Sequence, residues 1–158
     1  MSQPQSLSIC LWFDHQAEEA VSLYTGLIAN SRIRHISRYG ANAPLPQGTA
    51  MMVKFELGGA PFSAMNGGPH YKLTEAASIV VNCDSQAEID RLWDALSGEG
   101  AKEMRCGWLT DRFGLTWQIL PAALPDWMSG PTAGRVMSAF MGMKRPDIAA
   151  LETAHRGE

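Results

Sequence analysis

The sequence predicts an α+β protein made of two strand–helix–strands modules in tandem, followed by a helical tail. Three observations carry this. First, Ser78-Ile79-Val80-Val81-Asn82-Cys83-Asp84-Ser85-Gln86-Ala87-Glu88 echoes Ser8-Ile9-Cys10-Leu11-Trp12-Phe13-Asp14-His15-Gln16-Ala17-Glu18 at a constant offset of 70, with Ser, Ile, Asp, Gln, Ala and Glu identical and no gap. Second, Cys106 to Pro121 has the form of strand, tight turn and strand. Third, beyond Pro121 the alternation gives way to apolar residues at helical spacing.

The 158 residues suffice for one domain or two small fused modules. An apolar content of 46% with 18% charged residues describes an ordinary globular chain. A net charge of −3 gives no electrostatic reason to expect nucleic acid. No apolar run approaches the ~20 residues of a membrane span. Met1 to Ser6 lack a basic region followed by an apolar one, so no signal peptide is expected and the cytoplasm is the default compartment. Cys10, Cys83 and Cys106 are odd in number and far apart, which argues against a disulfide framework or a structural zinc site.

In chain order, Leu7 to Asp14 is a strand and Gln16 to Ile28 a helix, with Ala20, Val21, Tyr24, Leu27 and Ile28 on one stripe and Asp14 in the capping position. Ser31 to Tyr39 alternates as a partly exposed strand. Gly40 to Gly48 is a loop. Thr49 to Leu57 and Ala60 to Asn66 form a hairpin over Gly58-Gly59, and Gly67-Gly68-Pro69 ends it. In the second copy, Ile89, Leu92, Trp93 and Leu96 line the helix, and Gly98 and Gly100 end it. Between its strands, Asp111 to Gly114 supplies the turn, with Asp111 and Arg112 as a surface pair. Thr116, Gln118 and Leu120 then share one face and Trp117 and Ile119 the other. The boundaries are 6–124 for the domain, with modules at about 6–68 and 77–121, and 125–158 for linker and tail. Pro125 and Pro131 bracket the linker. Helices follow over Arg135 to Lys144 and Pro146 to His155, with a methionine-rich stripe suited to packing rather than metal. Each sheet carries a helix on one face only. The economical arrangement curls the two sheets to face one another around a cleft, with the tail docked on the domain or on a second subunit.

These residues resemble the PhnB-like branch, labelled 3-demethylubiquinone-9 3-methyltransferase, of the vicinal-oxygen-chelate superfamily that includes glyoxalase and the bleomycin-resistance proteins. The resemblance covers about Ser6 to Trp127. It rests on Trp12-Phe13-Asp14 with Ala17-Glu18-Glu19-Ala20, on Phe55-Glu56-Leu57-Gly58-Gly59 with Asn66-Gly67-Gly68-Pro69, on Val80-Val81-Asn82-Cys83 with Glu88-Ile89-Asp90-Arg91-Leu92-Trp93, and on Cys106-Gly107-Trp108 with Asp111-Arg112-Phe113-Gly114. It implies a glyoxalase-like fold, a curled mixed sheet around a cleft. Metal-using members hold one divalent ion with four cleft side chains. The matching positions here are Leu7, Ser63 or a neighbour, Ala77 or Ser78, and Gln118. Such a set lacks the imidazole and carboxylate donors a transition metal needs, so no metal and no cofactor are expected. His15, His35, His70 and His155 fall at none of these positions. The methyltransferase label lacks the glycine-rich strand-to-helix turn that nucleotide-like methyl donors usually occupy.

The cleft side is expected to offer Met65, Tyr71, Cys106, Trp108 and Gln118 to a ligand, with His70, Glu56 and Gln118 as the candidates for acid–base chemistry. Cys106 in a strand would point away from Arg105, which makes it a structural thiol rather than an activated one. Three functions follow. One is a metal-free binder of a small organic molecule, with the cavity shared in a homodimer. Another is a lyase, isomerase or dioxygenase-type enzyme with a non-standard metal or acid–base site. The last is a fold kept for assembly, its cleft filled by its own side chains.

Overall fold

In the computed structural model, residues 6–158 are described; the expectation about a leader at Met1 to Gln5 lies outside them. The chain divides into two units, one ending at Leu73 and the other beginning at Thr74.

The first unit runs β1 (Ile9–Phe13), α1 (Ala17–Leu27), β2 (Arg32–Arg38), β3 (Ala50–Leu57) and β4 (Ala60–Asn66). The second runs β5 (Ser78–Cys83), α2 (Gln86–Leu96), β6 (Lys102–Glu103), β7 (Trp108–Thr110) and β8 (Thr116–Pro121), then the helices α3 (Leu124–Trp127), α4 (Ala133–Met141) and α5 (Ile148–Arg156). The sheet orders are β1-β4-β3-β2 and β5-β8-β7-β6. In each, the strand before the helix runs parallel to the last strand, and the remaining pairs are antiparallel. The two halves therefore follow one plan, as the 70-residue echo predicts.

Alternation along each strand decides which face meets its helix. Leu11 and Phe13 of β1, Val53, Phe55 and Leu57 of β3 and Ala64 of β4 are buried, together with Ala17, Ala20, Val21 and Tyr24 of α1. In the second unit Leu109, Trp117 and Ile119 are buried, with Ile89, Leu92, Trp93 and Leu96 from α2. Each such large side chain contributes roughly 1.5–3 kcal/mol by leaving water. Gly58 (φ 56°) and Gly59 (φ 83°) take the doubly positive turn that suits a two-residue hairpin.

The helix starts differ between the halves. Ser85 caps α2 by accepting the Glu88 amide at 3.2 Å, while Glu88 accepts the Asp84 amide at 3.1 Å. Asp14 does not cap α1. The residue before the helix is Gln16, which makes no side-chain cap, and the Ala17 amide instead donates to Asn66 Oδ1 at 2.9 Å.

The region after Pro121 packs within the second unit. Leu124, Trp127, Val136, Phe140 and Leu151 form a small core against which Cys106, Leu120 and Met143 rest. The Cys106 and Gly107 amides donate to the carbonyls of Met143 and Lys144 at 2.8 and 2.9 Å. Gln86 bridges to Pro146 O at 3.0 Å and to the Ile148 amide at 2.9 Å. Arg145 reaches Asp90 and Asp94 of α2 at 3.3 and 2.6 Å. Three local expectations change. The stretch read as linker contains α3. The last helix starts at Ile148 instead of Pro146, which stands just before the capping residue Asp147. The methionine stripe is split: Met143 packs, while Met137 and Met141 are exposed. Among the described residues no helix is long and apolar enough to cross a membrane.

Candidate functional site

The face of each sheet turned away from its helix carries the polar side chains. In the second unit Gln118 of β8 lies opposite Val80 of β5 and Trp108 of β7, and Ser78 lies opposite Thr116. The Gln118 Nε2 group donates to Ser78 Oγ at 2.8 Å. Thr110 and Thr116 share a hydroxyl hydrogen bond of 2.8 Å across β7 and β8. Val80 is 49% exposed. This face offers water a valine side, an indole edge and an amide already engaged by a hydroxyl.

The turn between β7 and β8 is set by Asp111, which is buried. Its Oδ1 accepts the Phe113 and Leu115 amides at 2.9 and 3.1 Å, and its Oδ2 accepts Trp117 Nε1 at 2.9 Å. One carboxylate thereby fixes both the turn and the indole under the sheet. Arg112 lies with its guanidinium carbon 4.1 Å from the centre of the Phe113 ring.

In the first unit the same kind of face carries Cys10 and Trp12 of β1, Ser63 and Met65 of β4, and Met52, Lys54 and Glu56 of β3. Trp12 is held firmly. Its Nε1 donates to Gly68 O at 2.9 Å, and Tyr71 meets its ring edge-on, 4.9 Å between centroids and 80° between planes. Gly67 lies directly under the indole, where a Cβ would collide with the ring. The Trp12 and Gly67-Gly68 signatures, far apart in sequence, are thus two sides of one contact.

The sequence-predicted residues are sorted by this geometry. Trp108 and Gln118 are cross-strand neighbours on the second unit's open face. Met65 and Tyr71 both flank Trp12 in the first unit. Cys106 stands apart from Trp108 and Gln118. It is not in a strand but in a turn with φ 59°, and its Sγ faces Phe140 O at 3.8 Å inside the tail's core. Glu56 is committed to two cations, Arg32 Nε at 3.1 Å and Arg34 Nη2 at 2.7 Å. The hydrogen bond from Arg34, with that from Arg32, holds its carboxyl below the usual carboxylate range. An acid poised for proton transfer near neutrality needs the opposite shift. His70 is exposed in the loop after β4. The residue the sequence reading missed is Asn66. It sits at the end of β4 with Oδ1 on Ala17 N, Nδ2 on Ala50 O and its own carbonyl accepting Tyr39 OH at 2.6 Å. An asparagine just before two glycines was the available signal.

Two cavities among the described residues lie away from these faces. One of about 410 Å³ is a shallow depression beside His15, Glu18 and Ser22 at the start of α1. Another, of about 160 Å³, lies among Cys83, Trp127, Ile148 and Glu152. Burial pushes the Cys83 thiol up to about 12, so it is a neutral wall group there.

Tandem βαβββ halves of identical strand order define the glyoxalase-like, vicinal-oxygen-chelate fold. The family model described as 3-demethylubiquinone-9 3-methyltransferase matches residues 5–120, and the chain belongs to that family. Among solved structures, it is similar to the PhnB protein of Bacillus cereus, at 32% identity and a TM-score of 0.70 over 75% of this chain and 100% of that one. A protein from Pseudomonas aeruginosa matches at 26% identity and a TM-score of 0.60, over 75% and 98%. The fosfomycin resistance protein FosX of Listeria monocytogenes, complexed with Mn(II) and sulfate, shares the fold at 13% identity and a TM-score of 0.51, over 82% and 100%. No curated protein matches the chain.

The four positions that the resemblance assigns to a metal do not fit one. Leu7 is an 83% exposed alkyl group. Ser63 and Ser78 offer neutral hydroxyls, the alternative Ala77 offers only a methyl group, and Gln118 spends its amide on Ser78. Among the described residues no three His, Cys, Asp or Glu side chains gather as a ligand set. A divalent transition ion needs converging imidazole or carboxylate donors, which this set does not provide.

Proposed function

We propose that the protein binds a small organic molecule on the open faces of its sheets without a divalent metal. The observation that carries this reading is the Gln118–Ser78 hydrogen bond of 2.8 Å, an amide and a hydroxyl that satisfy each other where the resemblance places metal ligands, at Gln118 and at Ala77 or Ser78. Polar groups of this kind orient a neutral or hydrogen-bonding ligand and do not activate water as a bound ion would. The commitment of Glu56 to two arginines argues against the acid–base alternative. Methyl transfer is disfavoured by the strand-to-helix connections. They read Asp14-His15-Gln16 and Asp84-Ser85, without glycine, and each sheet has only one parallel pair.

Native mass spectrometry of untagged protein, paired with elemental analysis, tests the reading. A co-purified organic mass with no stoichiometric metal is expected. One tightly held divalent ion per chain would overturn it. A homodimer belongs to the same proposal, because β1, β2, β5 and β6 end their sheets and Ile9 and Val80 are exposed apolar residues on such strands. Light scattering that shows a monomer at micromolar concentration would remove that part.

A further inference from the structure

A row of polar side chains crosses the first unit's sheet. Cys10 lies opposite Ser63, Ser63 opposite Lys54, and Lys54 opposite His35. Their strand neighbours Leu11, Ala64 and Val53 are buried, so the four share the face away from α1. Cys10, Lys54 and His35 are exposed.

The charge on this face is unbalanced. Arg32 and Arg34 share a single carboxylate, Glu56, which leaves that trio one positive charge in excess. Arg38 has its own partner in Glu18. Among the described residues the Lys54 side chain has no ion-pair or hydrogen-bond partner, and neither has the His35 side chain. Residues 1–73 hold five Lys and Arg against four Asp and Glu, while residues 74–158 hold eight against twelve. A chain of net charge −3 thus concentrates uncompensated positive charge on one sheet face.

The next row along the strands is of a different kind. Trp12 lies opposite Met65, and Met65 opposite Met52. Rows two residues apart stand about 6.5–7 Å from one another, the length of a small aromatic acid. The Trp12 ring is fixed by Gly68 and Tyr71, which gives a flat ligand a platform already in place.

We propose that this face binds a small organic anion with a flat apolar body, its carboxylate held by Lys54 and His35 and its body resting on Trp12, Met65 and Met52. The inference rests on the small-molecule reading above and names the ligand's class. Neither part requires a metal.

Titration of the full chain with benzoate, followed through methionine methyl and tryptophan indole resonances, tests it, with benzamide as the uncharged isostere. Benzoate is expected to shift the Met52, Met65 and Trp12 signals saturably, and benzamide to leave them in place. Lys54→Gln is expected to weaken benzoate binding about tenfold, as loss of a charge-assisted contact does. Lys72→Gln, an exposed loop lysine, should leave it unchanged. Equal binding of benzamide, unchanged affinity in Lys54→Gln, or shifts confined to other residues would each overturn the anion assignment. Equal binding of both probes would leave the general small-molecule reading standing. A stoichiometric metal would instead sink that reading and leave the benzoate result to stand on its own.

Discussion

The side-chain carbonyl of Asn66 accepts the amide hydrogen of Ala17 at 2.9 Å, joining the end of the fourth strand to the start of the first helix. The same side chain donates to Ala50 O at 2.9 Å and is buried. Asn66→Ala strips α1 of its cap and leaves the Ala50 carbonyl unsatisfied. A lost cap costs about 1 kcal/mol and a buried unpaired polar group about 1–3. Urea denaturation is expected to show a loss of about 2–4 kcal/mol. Asn66→Asp keeps the acceptor at the helix start and should recover part of it.

Gly107 is a second fixed point. Its φ is +76°, and a Cβ there would stand 2.5 Å from the Ile119 carbonyl, a backbone atom that cannot step aside. Its own carbonyl accepts the Ile119 amide at 2.8 Å and its amide donates to Lys144 O at 2.9 Å. Gly107→Ala should therefore strain the backbone and loosen the tail from the sheet, for a loss of about 2 kcal/mol or more. Faster proteolysis around residues 142–147 in the variant would report the loosening. Unchanged cleavage would show that the tail is held mainly by the Gln86 and Arg145 contacts.

These two positions also show what the sequence could reveal. The modules, their helices and the alternation of β8 were legible because apolar spacing and the 70-residue echo are local patterns. The cap of α1 was not, because Asn66 is 49 residues from the amide it serves. Cys106 reads as a strand residue from the alternation of its neighbours, yet the bonds of Cys106 to Met143 and of Gly107 to Lys144 go with a left-handed turn there. The polar row from Cys10 to His35 depends on register across all four strands, including a shift between Ile33 and His35, which no one-dimensional pattern encodes.

The three thiols should separate by reactivity. Cys10 is exposed, Cys106 is half-buried against the tail, and Cys83 is buried with its thiol raised to about 12. Because only the thiolate attacks, iodoacetamide at mildly alkaline pH is expected to label Cys10 first and Cys83 last, the latter at the rate of unfolding. Peptide mapping over time checks the order. The raised Cys83 value also acts on stability. Its contribution is full below the thiol's ordinary value of 9.0 and is lost as pH rises toward about 12. Cys83→Ala should flatten that alkaline decline.

The acid side belongs to two carboxylates. Hydrogen bonding from Arg38 lowers Glu18, and hydrogen bonding first from Arg34 and then from Arg32 lowers Glu56. A group whose folded pKa lies below its unfolded value stabilises the fold above the unfolded value and loses that contribution as pH falls through the folded one. The ordinary value for both is 4.5, so the urea midpoint should hold steady down to about pH 5 and decline below it. Both pairs lie near solvent, so the decline should be shallow and smaller at high salt. Glu56→Gln removes the partner of two arginines at once, Glu18→Gln of one. Glu56→Gln is thus expected to flatten the acid limb more, and to raise the affinity of the sheet face for benzoate by freeing Arg32 and Arg34. An acid limb identical in both variants and the parent would place the acid sensitivity elsewhere in the chain.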